Sequence, residues 1–189
     1  MHNYTIAFEL LWLGWGITWF LAAPWSAPTV VRQSPADRLR HLIPFMLGGG
    51  LFLATTRPTT LLGHALLPPA EWQAWVGLAL TFLGLAFAIW ARFTLGKLWS
   101  GNVTLKADHR LVQEGPYKIT RHPIYTGLLL ALLGTALARD TLAVALGFLC
   151  LTGTIVLKLR QEERLLAQYF GPAFDDYRHR VRTLVPFLW

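Results

Sequence analysis

From Glu114 to Tyr125 the chain reads Glu-Gly-Pro-Tyr-Lys-Ile-Thr-Arg-His-Pro-Ile-Tyr. A permanent cation, a histidine and two tyrosines stand against the start of an apolar segment, where polar groups cost free energy unless paired or wet. Arg121 carries a planar fork of donors suited to a carboxylate. Pro123 fits the first turn of a helix, where its missing N–H costs little. Arg121 and His122 therefore mark a helix N-terminus, whose free N–H groups and dipole favour an anion. The matching acids are Glu162 and Glu163, beyond the next apolar segment. Adjacent carboxylates point to different faces of a helix. One can pair with Arg121 while the other meets a ligand ammonium or ribose. Upstream stand His109, Leu111, Val112, Gly115 and Tyr117. Backbone groups of such a loop can hold an adenine edge, and Tyr117 can cover a ring. Taken singly, each feature has a plainer reading: an interfacial anchor for Arg121, a solvated helix start for the glutamates, a surface histidine at 109.

The elements that must position these residues are membrane helices. Of 189 residues, 54% are hydrophobic and only 14% charged, against roughly 25% charged in soluble domains. Apolar stretches approaching the ~20 residues of a membrane helix place five spans, at about Tyr4–Ala23, Leu42–Thr56, Trp72–Ala91, Pro123–Ala138 and Thr141–Leu157. The chain reads as one all-α, polytopic membrane domain, with residues 1–91 holding three spans and residues 92–189 the chemistry. Two polar segments, 92–122 and 158–189, are too long for turns and are expected to form a cap over the bundle. Within the second, Gly171-Pro172 should break a helix over Arg160–Phe170 from a short one over Ala173–Val181.

Net charge is +7, and its placement is more informative than its sum. All but Arg57 and Arg139 of the 17 Lys and Arg fall in the first connection, the third connection or the tail. The positive-inside rule then puts the N-terminus outside, and the C-terminus and the cap in the cytoplasm. No basic n-region precedes Arg32, so the first span is expected to be a mature helix rather than a signal peptide. The basic excess is read as orientation and anionic-lipid contact. No nucleic-acid recognition motif accompanies it. Trp12, Trp15 and Trp19 form a stripe at helical spacing, expected to pack against helices or lipid. Gly48-Gly49-Gly50 is expected to allow close helix contact.

Several chemistries lack their motifs. The single cysteine, Cys150, excludes an intrachain disulfide and a Cys-cluster metal site, and the scattered histidines suggest no metal centre. There is no G-x-G-x-x-G, Walker loop, H-E-x-x-H or G-x-S-x-G. Glu9 is the one acid well inside a span, which argues against an ion-coupled transporter.

Taken together, these residues resemble the isoprenylcysteine carboxyl methyltransferase family and its phospholipid-methyltransferase relatives. The resemblance runs from about Leu95 to Phe187, through Leu95-Gly-Lys-Leu-Trp-Ser100, His109–Tyr117, Arg121–Tyr125, Glu162-Glu163, Tyr169-Phe-Gly171 and Tyr177. It implies an integral-membrane enzyme using S-adenosylmethionine and releasing S-adenosylhomocysteine. Carried over, His109, Leu111, Val112, Gly115, Tyr117, His122, Pro123 and Tyr125 would line the cofactor site. Glu162 and Glu163 would hold the cofactor or order Arg121, which would position the acceptor carboxylate or steady charge near it. A lipid-like acceptor would enter from the bilayer, and no obligate protein partner is implied. Relatives in the wider superfamily leave three further expectations open: a phospholipid amine acceptor, a small thiol acceptor, or NADPH-dependent reduction of sterols.

Overall fold

The computed structural model describes residues 2–25, 29–31, 35–54, 57–99, 105–106 and 110–185. Among these residues six α-helices carry the fold: α1 (His2–Ala22), α2 (Pro35–Leu53), α3 (Glu71–Leu95), α4 (Pro123–Arg139), α5 (Leu142–Phe170) and α6 (Pro172–Arg180). The exception to helix among the described elements is a short antiparallel pair, β1 (Thr29–Val31) with β2 (Leu105–Lys106).

Helices α3 and α4 form the tightest seam, and small residues are the reason. Gly77 and Gly84 of α3 face Gly134 and Gly127 of α4, so the two helices run antiparallel. A Cβ on Gly77 would lie 2.5 Å from the Gly134 carbonyl oxygen, and the reverse substitution meets the same obstacle. Ala88, Ala91 and Ala131, fully buried, continue this surface. Such contact lets backbones approach where lipid supplies no hydrophobic drive between helices. Thr81 Oγ1 donates to the Ala131 carbonyl at 3.2 Å and lies 3.2 Å from Thr135 Oγ1. Trp12 of α1 then donates its indole N–H to Thr135 at 3.1 Å.

Elsewhere, α2 packs along α5. Gly48 lies against Cys150 and Leu151, and Gly147 against Phe52. A Cβ on Gly49 or Gly50 meets nothing within 4 Å, so of the expected glycine run only Gly48 is a contact glycine. Arg139 ties off the far end of α2, donating to the carbonyls of Phe52 at 2.6 Å and Ala54 at 2.8 Å. Those carbonyls lie at and just past the end of α2, where no further turn of helix can receive them.

The order of contacts fixes the direction of every helix. Tyr4 meets Trp75 at one end of the bundle, while Trp19 meets Trp99 at the other. Helices α1 and α3 are therefore parallel. The C-terminal ends of α1, α3 and α5 gather with the start of α4 and with α6 at one end, hereafter the site end. The N-terminus of α1 lies at the opposite end.

The protein is an integral membrane protein. Among the described residues, three stretches are long and apolar enough to cross a bilayer: Tyr4–Trp25, Glu71–Leu98 and Leu142–Phe170. The apolar parts of α2 (His41–Leu53) and α4 (Pro123–Arg139) are shorter. One expected boundary shifts. The helix of the fifth span does not stop at Leu157; α5 runs unbroken for 29 residues to Phe170 and takes in the helix expected over Arg160–Phe170. Nothing between Leu157 and Arg160 breaks a helix, and Leu, Lys, Arg, Gln and Glu all favour one. At 1.5 Å per residue α5 is about 43 Å long, beyond the ~30 Å of a hydrocarbon core. Its last turns thus carry the glutamates clear of the apolar layer. It ends at Gly171, whose φ of 51° suits a residue without Cβ, and Pro172 opens α6.

Gly84→Ala should separate α3 from α4 and destabilise the protein by about 1–3 kcal/mol, read as a lower melting temperature in detergent. Gly49→Ala, facing open space, should leave the melt unchanged or raise it, because alanine favours helix.

Candidate active site

Arg121 lies just before α4, with its side chain 8% exposed. A guanidinium has five N–H donors, and here each has a protein acceptor. Nε and Nη2 both reach Glu163 Oε1 at 2.7 Å. Nη2 also donates to Thr183 Oγ1 at 2.7 Å. Nη1 donates to the carbonyls of Val181 and Arg178. The expected Arg–Glu pair is thus present, and Glu163 is the partner.

The segment after α6 completes this knot. The amides of Arg121 and His122 donate to the carbonyls of Arg182 (2.8 Å) and Thr183 (3.1 Å). Thr126 Oγ1 donates to the Leu184 carbonyl at 2.8 Å. The helix N-terminus that the sequence offers to an anion is therefore filled in part by the chain's own carbonyls.

His122, buried at 7% exposure, stands between the two carboxylates. Its Nε2 is 3.3 Å from Glu163 Oε1 and its Nδ1 is 3.7 Å from Glu162 Oε2. Tyr125, one turn into α4 and stacked beside His122, donates its hydroxyl to Glu162 Oε1 at 2.6 Å. Glu162 and Glu163 are thereby divided: one faces Tyr125, the other Arg121.

A cavity of about 340 Å³ opens beside this cluster. Glu162, His122, Tyr125 and Arg121 contribute to its wall, as do Leu111, Val112 and Tyr117 from the loop before α4. Helix α5 adds Lys158, Leu165 and Leu166, and α6 adds Phe174 and Tyr177. Three indoles also border it: Trp15 and Trp19 of α1, and Trp99 after α3. Trp15 stacks on Trp19 with centroids 4.8 Å apart, and Trp19 meets Trp99 edge-on at 5.5 Å. Trp15 Nε1 is buried with no hydrogen-bond partner among the described residues.

Three expected site residues stand behind the wall. Gly115 supports it through a φ of 57° that turns the loop before Tyr117. Pro123 is fully buried as the first residue of α4. Glu163 faces Arg121. His109 lies outside the described residues.

Two buried tyrosines hold the loop to the cap. The Tyr177 hydroxyl donates to the Tyr117 carbonyl at 2.6 Å. Burial, with Glu162 and Tyr177 nearby, pushes the Tyr117 phenol well above its ordinary pKa. Burial does the same for Tyr177 against the opposing pull of Arg121 and Arg180. Both remain neutral hydroxyls, and Tyr177 stays a donor across the physiological range.

Arg92 fastens α1 over the cavity. It is 1% exposed, donates to the carbonyls of Ala22 and of Gly96, and lies 4.5 Å from the Trp99 ring centroid. The tryptophan stripe thus packs as expected at Trp12, but its next two members also face the cavity. Only their i, i+4 spacing hinted at this. Lys158, one turn before Glu162, carried a similar unused signal.

A sequence model of the isoprenylcysteine carboxyl methyltransferase family matches residues 75–168. The cobalt-zinc-cadmium resistance protein CzcN of Cupriavidus metallidurans is 33% identical, across 84% of this chain and 73% of that protein. The chain belongs to the isoprenylcysteine carboxyl methyltransferase family. Protein-S-isoprenylcysteine O-methyltransferase B of Arabidopsis thaliana is 31% identical over 62% of this chain and 61% of its own length. The structure of the eukaryotic intramembrane Ras methyltransferase of the family aligns with a TM-score of 0.59 at 25% identity, over 84% of this chain and 55% of that one. The chain thus spans somewhat over half the length of these two relatives. The matched region holds the whole α3–α4 seam, the Arg-His-Pro turn and both glutamates.

Arg121→Lys should unpick the knot, because an ammonium offers three donors where five are used. The expected loss is roughly 2–3 kcal/mol, in line with removing a partner from a largely buried ion pair. Faster amide exchange at Arg121 and His122 would show the tail carbonyls letting go; unchanged exchange would count against the knot.

Proposed function

We propose that the protein transfers a methyl group from S-adenosylmethionine to an amphipathic acceptor, with the carboxylate of an isoprenylcysteine-like or other lipid-type molecule as the best fit. The observation that carries this reading is the cavity, which sets the oriented carboxylate of Glu162 in an otherwise mainly apolar and aromatic lining. Its volume falls within the roughly 300–1,000 Å³ of small-molecule sites.

The residues present fit the cofactor. Glu162 can meet its ammonium or ribose hydroxyls, as one of the two expected acids. Tyr117 adds an aromatic ring to the wall beside a bound cation. Leu111, Val112, Leu165 and Leu166 offer an apolar bed for adenine. When bound, the cofactor supplies an electrophilic methyl, and its transfer to a carboxylate oxygen forms a C–O bond as the C–S bond breaks, with the electron pair passing to sulfur and no proton moving.

The protein's task is then alignment and exclusion of water. Tyr125 fixes the Glu162 carboxylate by a hydrogen bond, and His122 flanks it. Arg121 and Glu163 act one step back, holding the turn and the tail that form the wall. We assign them positioning roles, because every donor of Arg121 is engaged within the protein. Trp15 and Trp19 would support the apolar part of an acceptor arriving from the bilayer. The placement of Lys and Arg supports a site end facing the cytoplasm, with the N-terminus across the membrane.

Calorimetric titration of S-adenosylhomocysteine into detergent-purified protein tests the reading. Glu162→Gln should weaken binding about tenfold, equivalent to the loss of one charge-assisted contact. No binding to a folded, monodisperse sample would overturn it. With labelled methyl donor and an S-prenylcysteine acceptor, Trp15→Ala and Trp19→Ala should raise the acceptor KM while product affinity stays within about twofold.

A further inference from the structure

Helix α1 stands between lipid and the cavity. Ile17, Phe20 and Leu21 on its outward faces are exposed, while Trp15 and Trp19 border the cavity. It packs chiefly on α3, and its first half is pinned to the bundle. Tyr4 meets Trp75, and the Trp12 indole donates to Thr135. Beyond Trp12 the backbone changes character. Gly14 and Gly16 sit in mid-helix, where each glycine costs about 1 kcal/mol against alanine. The glycines of the α3–α4 seam offset that cost by close packing, but a Cβ on Gly14 or Gly16 would meet nothing within 4 Å. Backbone freedom is what these two contribute. Thr18 Oγ1 donates back to the Gly14 carbonyl at 2.8 Å, a bond that bends helices.

The second half of α1 is fastened at its far end. Arg92 donates to the Ala22 carbonyl, which lies in the last turn of α1, where no further turn can receive it. Arg92 also holds the Gly96 carbonyl and the Trp99 ring, and would keep both if α1 moved away. Ring contacts complete the closure, Trp19 on Trp99 and Trp25 on Phe93. Trp15 Nε1 is buried here with no hydrogen-bond partner among the described residues. That unmade bond costs free energy in the closed position and narrows the gap to an open one.

We infer that residues 14–25 form a lid that swings away from α3 to admit the lipid part of the methyl acceptor. Gly14 and Gly16 are its hinge, and the Arg92–Ala22 bond is its latch. The inference rests on the proposed methyl transfer and adds how the acceptor enters. The stretch from Gly16 to Trp25 is about 14 Å long. A turn of about 20°, the scale of a helix kink, moves its far end by roughly 5 Å. That parts Trp19 from Trp99 and leaves room for a hydrocarbon chain. The outward face exchanges lipid for lipid as it moves, so no hydrophobic cost opposes the swing. Glu162, Tyr125 and the loop before α4 lie on other elements and stay in place.

A reversible bridge across the latch tests the lid. Trp25→Cys and Phe93→Cys would be introduced together with Cys150→Ala, which keeps the Cβ that Gly48 meets. The two thiols would be joined by a crosslinker that reductant cleaves. Association of N-acetyl-S-farnesylcysteine with protein saturated with S-adenosylhomocysteine would be followed by stopped-flow fluorescence. The bridge should slow association by roughly tenfold or more, as expected when a lid controls entry, and cleavage should restore it. S-adenosylhomocysteine affinity should stay within about twofold throughout, which also reports that the protein folds. Without any bridge, Gly14→Ala with Gly16→Ala should slow association and dissociation together and leave the Kd unchanged. Equal association in bridged and cleaved protein would overturn the lid, as would unaltered kinetics in the glycine variant. A bridge that weakened S-adenosylhomocysteine equally would make α1 part of the cofactor's enclosure and overturn it too. Failure of S-adenosylhomocysteine to bind the unbridged protein would remove the methyltransferase reading and the lid together. Normal cofactor-product binding with unhindered or absent farnesylcysteine binding removes the lid alone.

Discussion

The Arg121–Glu163 ion pair is the constraint on which the site depends. A guanidinium at the edge of an apolar layer must have its donors filled, and four acceptors, from α5, α6 and the segment after it, converge to fill them, Glu163 Oε1 meeting two nitrogens. That convergence brings the last turns of α5, the start of α4 and the segment after α6 to one point. His122 is then held between the two glutamates, and Tyr125 is presented to Glu162. Removing the charge would free three elements at once, because no other residue contacts all of them by side-chain hydrogen bonds among those described.

A second buried cation has a different task. Arg92 has no carboxylate among its described partners; two backbone carbonyls and an indole face receive it. Carbonyl dipoles and a π face can stabilise a cation without placing another full charge beside the cavity. The result is a fastening for α1 that leaves Glu162 as the carboxylate on the described cavity wall. Glu163 is electrically occupied by Arg121 in the same spirit. Arg92, Arg121 and Glu163 are thus committed to structure.

Much of this was legible in the sequence, and the reasons differ by residue. Charges near a bilayer are expensive, so Arg121 and the glutamates announced themselves and their pairing. Gly171-Pro172 announced the break before α6, because a positive φ followed by a missing N–H leaves few alternatives. Which glutamate pairs with Arg121 was not legible. Neighbours on a helix differ by about 100° of rotation, and only the packing of α5 on its partners fixes that angle. The docking of the tail on α4 was invisible for another reason: bonds to main-chain carbonyls leave little trace in residue type. That the fifth span and the helix over Arg160–Phe170 form one rod escaped because hydropathy reports the membrane, not the helix. Trp15 and Trp19 escaped because an indole facing a ligand and one facing a neighbouring helix are the same letter at the same spacing.

That unbroken α5 acts as a ruler as well as a scaffold. Lys158, Glu162 and Glu163 belong to the same rigid rod that packs through Gly147 and Leu151 deep in the bundle. Insertion or deletion of one residue between those contacts and Lys158 would turn the charged set by about 100° and shift it by about 1.5 Å. The carboxylate now facing the cavity would leave it, with no active-site residue altered. Length along this stretch is therefore as much a determinant of the chemistry as residue identity. Point substitutions facing lipid can drift freely there, while a change of frame within the helix cannot.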